Sequence, residues 1–360
     1  MFLILATATL LIVIATVLPL LRHPHWVVRA MDFPRLQIAQ LAAALLIAHF
    51  VFLDSQMSTT WMLVVATALC LLWQLWWVLP YTLLWPKEVK TASNNNPDRQ
   101  LSVITANVLQ TNRNSDALVD LVRQYQPDIL VTLETDQWWE NKLEALEVDM
   151  PYSVKCPLDN FYGMHVYSRL PFLEEEITYL VEKNIPSIHV SLKLRTGHKV
   201  RIYFVHPAPP SPTENVRSKE RDVELVTVAR SIADTDQPVV VTGDLNDVAW
   251  STTTRLFRKI SGLLDPRVGR GIFNTFHVDY PILRWPLDHL FHSAHFTLKS
   301  IRRLPSIGSD HFALFTVLMF TPASYENQEG LKANRADHDR AKNISEDLGV
   351  SKNDVPELSE

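Results

Sequence analysis

The stretch VVVTGDLND, residues 239–247, places an apolar run of strand-forming residues directly before Gly243 and the polar side chains of Asp244, Asn246 and Asp247. Such strand endings are usually turns, because turn geometry favours Gly, Asn and Asp. The ends of strands in α/β sheets are also where functional sites are built. The stretch is therefore either an ordinary turn or the edge of a site, and only the rest of the chain can distinguish the two. Asp247 is interpreted as a plain loop residue.

The composition excludes several kinds of site. The chain has 360 residues, of which 47% are hydrophobic, and a formal net charge of −5. Its two cysteines, Cys70 and Cys156, lie far apart and form neither a disulfide framework nor a zinc cluster. There are nine glycines and none precedes Gly163, which excludes a glycine-rich phosphate loop or dinucleotide fingerprint from the first half.

Long apolar segments crowd into residues 1–86, which we predict to be a membrane anchor. Transmembrane helices are predicted over about 2–21, 36–53 and 61–84, because each segment can cross a hydrocarbon core of about 30 Å. The alternatives are a cleaved signal peptide for the first segment and a buried helical hairpin for all of them. The first segment lacks the preceding basic residues of a signal peptide, and the lengths disfavour the hairpin.

Basic residues predict the orientation of these helices. The connection after the first segment carries Arg22, Arg29 and Arg35, and the chain after the third carries Lys87 and Lys90. The N-terminus and the other connection carry no Lys or Arg. Because basic flanks face the cytoplasm, everything after the third helix is predicted to be cytoplasmic.

The chain beyond the anchor divides into three parts. We predict a polar linker over 87–100 and an α/β domain over 101–320, where short apolar runs alternate with amphipathic stretches. Residues 321–360 hold few apolar side chains and are predicted to be a disordered polar tail. Acidic and basic residues nearly balance in the α/β domain, so its charge does not indicate nucleic acid.

Polar side chains end or interrupt many of the apolar runs in the α/β domain. The set is Asn107, Glu134, His206, Asp244, Asn246, Asp288, Ser309, Asp310 and His311. Each alone is more often a turn residue, a solvated carboxylate or a structural histidine. Together, carboxylates and amides without cysteine suit a hard cation such as Mg²⁺, and two histidines suit acid/base work and phosphate binding.

The order of these residues resembles the endonuclease/exonuclease/phosphatase superfamily, which includes pancreatic deoxyribonuclease, AP endonucleases, neutral sphingomyelinases and inositol-polyphosphate phosphatases. The pieces that carry the resemblance are GDLNDVAWS, RWPLDHLFHS and GSDHFALF, within about residues 101–319. The chain is most similar to the membrane-anchored bacterial branch, so the membrane is expected to be the bacterial inner (plasma) membrane. The resemblance implies an α/β (α+β) fold, a four-layer sandwich of two packed mixed β-sheets flanked by helices, here preceded by three transmembrane helices.

The resemblance also implies a metal site. Glu134 would be the principal ligand of Mg²⁺, with Mn²⁺ as the alternative ion, and Asn107 and Asp310 would lie beside it. Some members carry an Asp two positions after the first Asn, where this chain has Leu109. This departure weakens the expectation of a second metal on that side.

The remaining residues would carry the catalysis. Asp244 would position or deprotonate the attacking water, or hold a second metal, and Asn246 would orient the water or the phosphate. His311, held by Asp288, would act as a base or as a charged phosphate contact. His206 would contact the phosphate from the other side, in an unusual context of prolines, FVHPAPP.

These features predict a membrane-anchored, Mg²⁺-dependent phosphoesterase that hydrolyses a phosphodiester or a phosphomonoester. Because the chain is anchored in the membrane, the expected ester is linked to a lipid. Its partners would be the substrate and the bilayer, with no obligate protein partner. A membrane-tethered nuclease is the alternative, and an inactive binding scaffold is a third reading that the intact site residues disfavour. Basic residues would contact the nucleic acid backbone in the nuclease, unless they form a solvated helix face: Arg255, Arg258, Lys259, Arg267 and Arg270.

Overall fold

The computed structural model describes residues 1–93, 95–233 and 235–356. The helices in chain order are α1 (Phe2–Val17), α2 (Trp26–Ala30), α3 (Arg35–Phe52), α4 (Ser58–Val78), α5 (Ser115–Tyr125), α6 (Gln137–Leu143), α7 (Lys219–Ile232), α8 (Thr252–Ser261) and α9 (Arg335–Glu346). The strands are β1 (Gln100–Asn107), β2 (Ile129–Leu133), β3 (Tyr152–Cys156), β4 (Met164–Ser168), β5 (Phe172–Thr178), β6 (Ser187–Lys193), β7 (Lys199–Phe204), β8 (Val239–Asp244), β9 (Asp288–His292), β10 (Phe296–Ser306) and β11 (Phe312–Phe320).

Within the described residues, the strands form two mixed sheets. One sheet has the order β10-β11-β1-β2-β4-β3, and the other has the order β5-β6-β7-β8-β9. The sheets pack face to face over an apolar core, with α5 and α6 on the outer side of the first sheet and α7 and α8 on the outer side of the second. The predicted four-layer sandwich of mixed sheets flanked by helices is therefore confirmed.

The stretch VVVTGD forms strand β8, which is buried on both faces. Val240 packs into the core between the sheets, whereas Val239 and Val241 pack against the helices on the outer side. A strand covered on both faces reads as a continuous apolar run, as this one does. Its neighbours are β7, which is parallel to it, and β9, which is antiparallel.

A pair of threonines joins the two sheets near the edge that carries the polar residues. The hydroxyls of Thr105 in β1 and Thr242 in β8 lie 2.6 Å apart, and Thr242 also donates to the backbone oxygen of His289. A buried hydroxyl needs such partners. The pair holds β1 and β8 together, so the residues that end these strands, Asn107 and Asp244, lie side by side.

Apolar helices precede the sandwich. Among the described residues, three helices are long and apolar enough to cross a membrane: Phe2–Leu21, Arg35–Phe52 and Ser58–Tyr81. The first matches the predicted bounds, the second begins one residue early, and the third begins and ends three residues early. The chain after the first helix, the start of the second and the end of the third all lie next to the sandwich.

The ends of these apolar helices pack directly on the sandwich. Trp250, 1% exposed, donates from its indole Nε1 to the backbone oxygen of Asp32 at 2.7 Å. The guanidinium of Arg29 forms a buried ion pair with Asp222 at 3.0 Å. Breaking a buried ion pair on one side leaves an uncompensated charge and costs several kcal/mol, about 3–5. The segment that contains the apolar helices is thus joined to the sandwich by specific contacts.

The predicted linker over 87–100 differs from the structure in its first half. Val89 is fully buried, and the backbone N–H of Ala92 donates to the oxygen of Leu298 at 2.8 Å. The apolar valine and the free edge of β10 explain why this segment packs on the sandwich. Residue 94 lies outside the described residues.

The predicted disordered tail, 321–360, also differs, because it contains α9. Asn334 and Asp337 form a reciprocal capping box at the start of this helix. Asp337 also pairs with Lys259 at 2.8 Å, and Ala341 is buried against the core that α7 and α8 cover. A capped amphipathic helix needs only a few buried side chains when ion pairs join it to the domain. Residues 357–360 lie outside the described part of the chain.

Candidate active site

The ends of β1 and β8 bring predicted site residues from the two sheets together. The side-chain Nδ2 of Asn107 donates to Oε1 of Glu134 at 2.7 Å and lies 3.3 Å from Oδ2 of Asp244. Asn107 is 1% exposed, so its amide is held in place by these partners. Three of the predicted residues therefore form one cluster at the edge of the sandwich.

Glu134 lies directly after β2 in a left-handed backbone conformation, with φ of +61°. Burial raises the pKa of its carboxyl to about 7, opposed by the hydrogen bond from Asn107 and by His311, while Asp310 and Asp244 raise it further. Several carboxylates thus converge where the main nearby positive charge is an imidazole. This oxygen-rich, negatively charged donor set fits a hard divalent cation, which would lower the pKa of Glu134 again.

Asp288, His311 and Asp244 form a chain of side chains. Oδ2 of Asp288 lies 2.8 Å from Nδ1 of His311, and Nε2 of His311 lies 3.5 Å from Oδ2 of Asp244. Burial opposes protonation of His311, but Asp288 and Asp244 outweigh it and raise its pKa to about 10. The imidazole is therefore positively charged at neutral pH. All three side chains are almost fully buried.

The same three residues have ligand atoms within 4.8 Å of one another, a spacing that a metal ion could also use. Both ring nitrogens of His311 already face carboxylates, and a protonated imidazole is not a metal ligand. This favours Glu134, with Asn107 and Asp310, as the place for a cation. The Asp288–His311–Asp244 chain is better suited to positioning charge and protons.

The turn after β8 brings Asn246 next to the same cluster of side chains. Its backbone N–H donates to Oδ1 of Asp244 at 2.8 Å, its side chain donates to the oxygen of Pro207 at 3.0 Å, and its φ is +50°. Gly243 is required just before it, because a Cβ there would lie 1.9 Å from the backbone oxygen of Val205. The stretch that opened the sequence is thus a turn whose side chains point into a site.

His206 is close to this cluster but buried beside it. It is 3% exposed, and its ring packs against Tyr162 with 5.3 Å between centroids. Burial lowers its pKa to about 4, so the ring is neutral at neutral pH. Its Nδ1 has no hydrogen-bond partner among the described residues.

A cavity of about 570 Å³ opens over the cluster. Predicted site residues form its polar side: Glu134, Asp244, Asn246, Asp310 and His311. Residues to which the sequence analysis gave no role in the site form the rest of the lining: Ala30, Phe33, Pro34, Pro209, Pro210, Glu214, Phe276, Trp285 and Leu287. The first three of these come from the connection between the first two apolar helices. No sequence signal links that connection to the site, because the two are brought together only by folding.

The interpretation of Asp247 as a plain loop residue is wrong. Its side chain is 2% exposed, accepts from the backbone N–H of Val248 at 3.0 Å and from the hydroxyl of Ser251, and lies 3.5 Å from Nη2 of Arg221. It therefore holds the start of α8 next to the turn that carries Asp244 and Asn246.

Four of the five basic residues expected to contact nucleic acid in the alternative reading bind other parts of the protein, the exception being Arg255: Arg258, Lys259, Arg267 and Arg270. Arg258 and Arg267 are nearly fully buried and pair with Glu88 and Asp265. Lys259 pairs with the carboxylate at the start of α9. These side chains hold the fold together and do not form a basic surface beside the cavity.

Known proteins share this fold. The catalytic domain of human Nocturnin with bound sulfate has 17% identity and a TM-score of 0.52, covering 67% of this chain and 99% of that one. D. rerio TDP2 humanized by 14 mutations has 19% identity and a TM-score of 0.50, covering 61% of this chain and 99% of that one. No curated protein matches the chain.

The model of the Endonuclease/Exonuclease/phosphatase family matches residues 104–311, which span the sandwich from β1 to the start of β11 and include every predicted site residue. That range covers more than half of the chain. With the two packed sheets and the carboxylate–histidine cluster at their edge, the protein belongs to the endonuclease/exonuclease/phosphatase family of metal-dependent phosphoric-ester hydrolases.

Proposed function

We propose that this protein is a membrane-anchored, Mg²⁺-dependent phosphoesterase whose substrate is a phosphate ester carried on a lipid. The observation that carries the proposal is the composition of the cavity. Its polar side holds the carboxylates and His311, and part of its apolar side is Ala30, Phe33 and Pro34, which belong to the membrane anchor. A lipid phosphate has the same two-part chemistry, a charged head and an apolar chain.

The cation would be held by Glu134, Asn107 and Asp310. When bound there, Mg²⁺ supplies a Lewis acid that neutralises charge on the phosphate oxygens. Oxygen ligands without sulfur favour Mg²⁺, or Mn²⁺, over softer metals.

The chain's own residues would perform the displacement. Asp244 accepts a proton from the attacking water as the new P–O bond forms and the bond to the leaving oxygen breaks, and solvent protonates that oxygen. His311, held charged by Asp288, contacts a phosphate oxygen and stabilises the negative charge that grows there. Asn246, which lines the cavity, orients the water or the phosphate. His206 supports the arrangement as a neutral ring that packs against Tyr162 beside the cluster.

An apolar path from the membrane side to the catalytic residues supports a lipid substrate. The ring of Trp285 lies 5.7 Å from that of Phe33 and 6.4 Å from that of Phe276, which in turn lies 4.9 Å from that of His311. Apolar side chains of this kind accommodate hydrocarbon, whereas nucleic acid needs a basic groove.

The loop that contains Tyr280, Ile282 and Leu283 lies near Trp285 and has the properties of a segment at a bilayer surface. Its Tyr280, Ile282 and Leu283 are 57%, 79% and 48% exposed. The side chain of Gln37, at the start of the second apolar helix, donates to the oxygen of Ile282 at 2.8 Å. Exposed apolar residues held next to a membrane helix favour insertion into the interface. We place the anchor in the bacterial inner membrane with the sandwich in the cytoplasm, on the positive-inside argument.

The test uses the full-length protein reconstituted in liposomes with Mg²⁺. Dioleoyl phosphatidic acid and phosphatidylinositol are compared with their water-soluble counterparts, glycerol 3-phosphate and glycerophosphoinositol, and with plasmid DNA and RNA. Turnover of a long-chain lipid well above that of its soluble counterpart supports the proposal. Salt-sensitive cleavage of DNA or RNA with no lipid turnover would establish the nuclease instead.

A further inference from the structure

A second cavity lies where the ends of the first and third apolar helices meet α8 and α9. It has a volume of about 100 Å³ and continues into a wider cleft of about 660 Å³ along α9. Arg22, Arg255 and Arg340 line it, each from a different part of the chain. Arg22 follows the first apolar helix, Arg255 lies in α8, and Arg340 lies in α9.

These arginines are left without an anion. None of the three forms an ion pair or a side-chain hydrogen bond with another described residue. The guanidinium of Arg255 lies 5.0 Å from the ring centroid of Trp77, a cation–π contact that leaves its N–H groups available. Burial, together with the positive charges of Arg29 and Arg22, lowers the pKa of Arg340. Like charges are thus held close together, and the nearby carboxylates of Asp222 and Asp337 offset them only in part.

The carboxylates around this cavity already have cationic partners. Asp337 pairs with Lys259 at 2.8 Å, and Asp347 pairs with Lys219 at 3.0 Å. Asp339, in the outer cleft, is exposed and is the remaining acidic group of the lining among the described residues. The inner cavity therefore keeps a net positive charge.

The position of the cavity indicates which anion it would meet. Arg22 and Trp77 lie at the ends of the first and third apolar helices, where the phosphate groups of a bilayer lie. The indole Nε1 of Trp77 is buried and has no hydrogen-bond partner among the described residues. Basic pockets between membrane helices on the cytoplasmic side bind lipid head groups, and the guanidinium fork matches phosphate geometry.

We propose that Arg22, Arg255 and Arg340 form a binding site for a phosphate group, distinct from the catalytic cavity and placed to take the head group of an anionic phospholipid. The site contains one arginine from the anchor, one from the sandwich and one from α9. A bound head group would therefore hold α9 next to the surface of the membrane. The inference rests on the membrane anchoring proposed above. The experiment that tests it measures lipid binding and not hydrolysis. The anion site can therefore be tested even if the protein hydrolyses none of the proposed substrates.

The experiment uses full-length protein in a neutral detergent. Dioctanoyl phosphatidylglycerol, dioctanoyl phosphatidylcholine and inorganic phosphate are titrated separately, and binding is followed by native mass spectrometry and by the unfolding midpoint. The variants are Arg340→Gln and Arg255→Gln. The matched control is Arg335→Gln, which removes the same charge from an exposed position on the same helix.

We expect saturable phosphatidylglycerol binding that weakens at least about ten-fold in Arg340→Gln and in Arg255→Gln and is unchanged in Arg335→Gln. Phosphatidylcholine is expected to bind weakly. If inorganic phosphate binds as tightly as phosphatidylglycerol and loses affinity in the same variants, the anion site is supported with a soluble occupant. Equal binding by all variants, or no saturable binding of either anion, would overturn the proposal.

Discussion

Nδ1 of His311 lies 2.8 Å from Oδ2 of Asp288, and both side chains are almost completely buried. The aspartate orients the ring and keeps it charged, so that Nε2 faces Asp244 at 3.5 Å. The pair joins the two sheets, because Asp288 begins β9 of one sheet and His311 directly precedes β11 of the other.

Asp288→Asn should lower kcat by two to three orders of magnitude with a smaller change in KM. The amide keeps the shape but no longer holds the positive charge on His311. Steady-state kinetics of Asp288→Asn, His311→Gln and the double variant provide the measurement. Since the residues act as a unit, the double variant should be little worse than His311→Gln alone. A kcat within two-fold of wild type for Asp288→Asn would remove the pair from the mechanism.

Removal of the divalent cation with EDTA should abolish hydrolysis, and Mg²⁺ or Mn²⁺ should restore it. Glu134→Gln should raise the Mg²⁺ concentration needed for half-maximal activity by at least about ten-fold, because it removes the principal charged ligand. The measurement is a metal titration of activity, with isothermal calorimetry to read metal binding directly. Glu140→Gln is the control, since it removes a carboxylate from the helix after Glu134. Unaltered metal dependence in Glu134→Gln would show that the cation binds elsewhere.

Phe33→Ala should raise KM for a long-chain lipid phosphate by about ten-fold and affect a water-soluble ester less. The ring contacts Trp285 in the apolar side of the cavity, and its loss exposes that path to water. Phe52→Ala is the matched control, because Phe52 is 59% exposed and lies at the far end of the apolar helix that follows Phe33. Equal losses on lipid and soluble substrates would mean that Phe33 supports the fold and does not contact the lipid chain.

The pH dependence of stability should reveal the buried carboxyl of Glu224. Burial raises its pKa from 4.5 to about 7, partly opposed by a hydrogen bond from Ser187. The folded state therefore favours the protonated form, and its stabilising contribution is complete below pH 4.5 and lost as pH rises to about 7. The loss amounts to roughly 3 kcal/mol, at about 1.4 kcal/mol per pKa unit.

Glu224→Gln should remove that loss, so its unfolding midpoint should exceed that of wild type at pH 8 and approach it at pH 5. Differential scanning fluorimetry at both pH values is the measurement. Glu175→Gln, at an exposed position in β5, should follow the wild-type curve. A Glu224→Gln midpoint below wild type at pH 8 would contradict the assignment.

The sequence by itself determined the fold class, the apolar helices and the residues that end the strands. Local patterns carry this information: an apolar run such as VVVTGD needs burial on both faces, and an apolar helix needs a matching length. The order of Asn107, Glu134, Asp244 and His311 along the chain resembles that of a known family, and this resemblance was enough to predict a common site.

Only the tertiary structure decided what surrounds that site. Phe33 and Pro34 precede Asp244 by more than 200 positions, and no periodicity relates them to it. Asp247 looked like a loop residue and Arg258 like a surface charge, yet both are buried, because their partners come from other elements. A local pattern indicates which face of an element is apolar, whereas the partner that covers this face depends on how the elements pack. The apolar side of the catalytic cavity and the arginine cavity beneath α9 are both products of that packing.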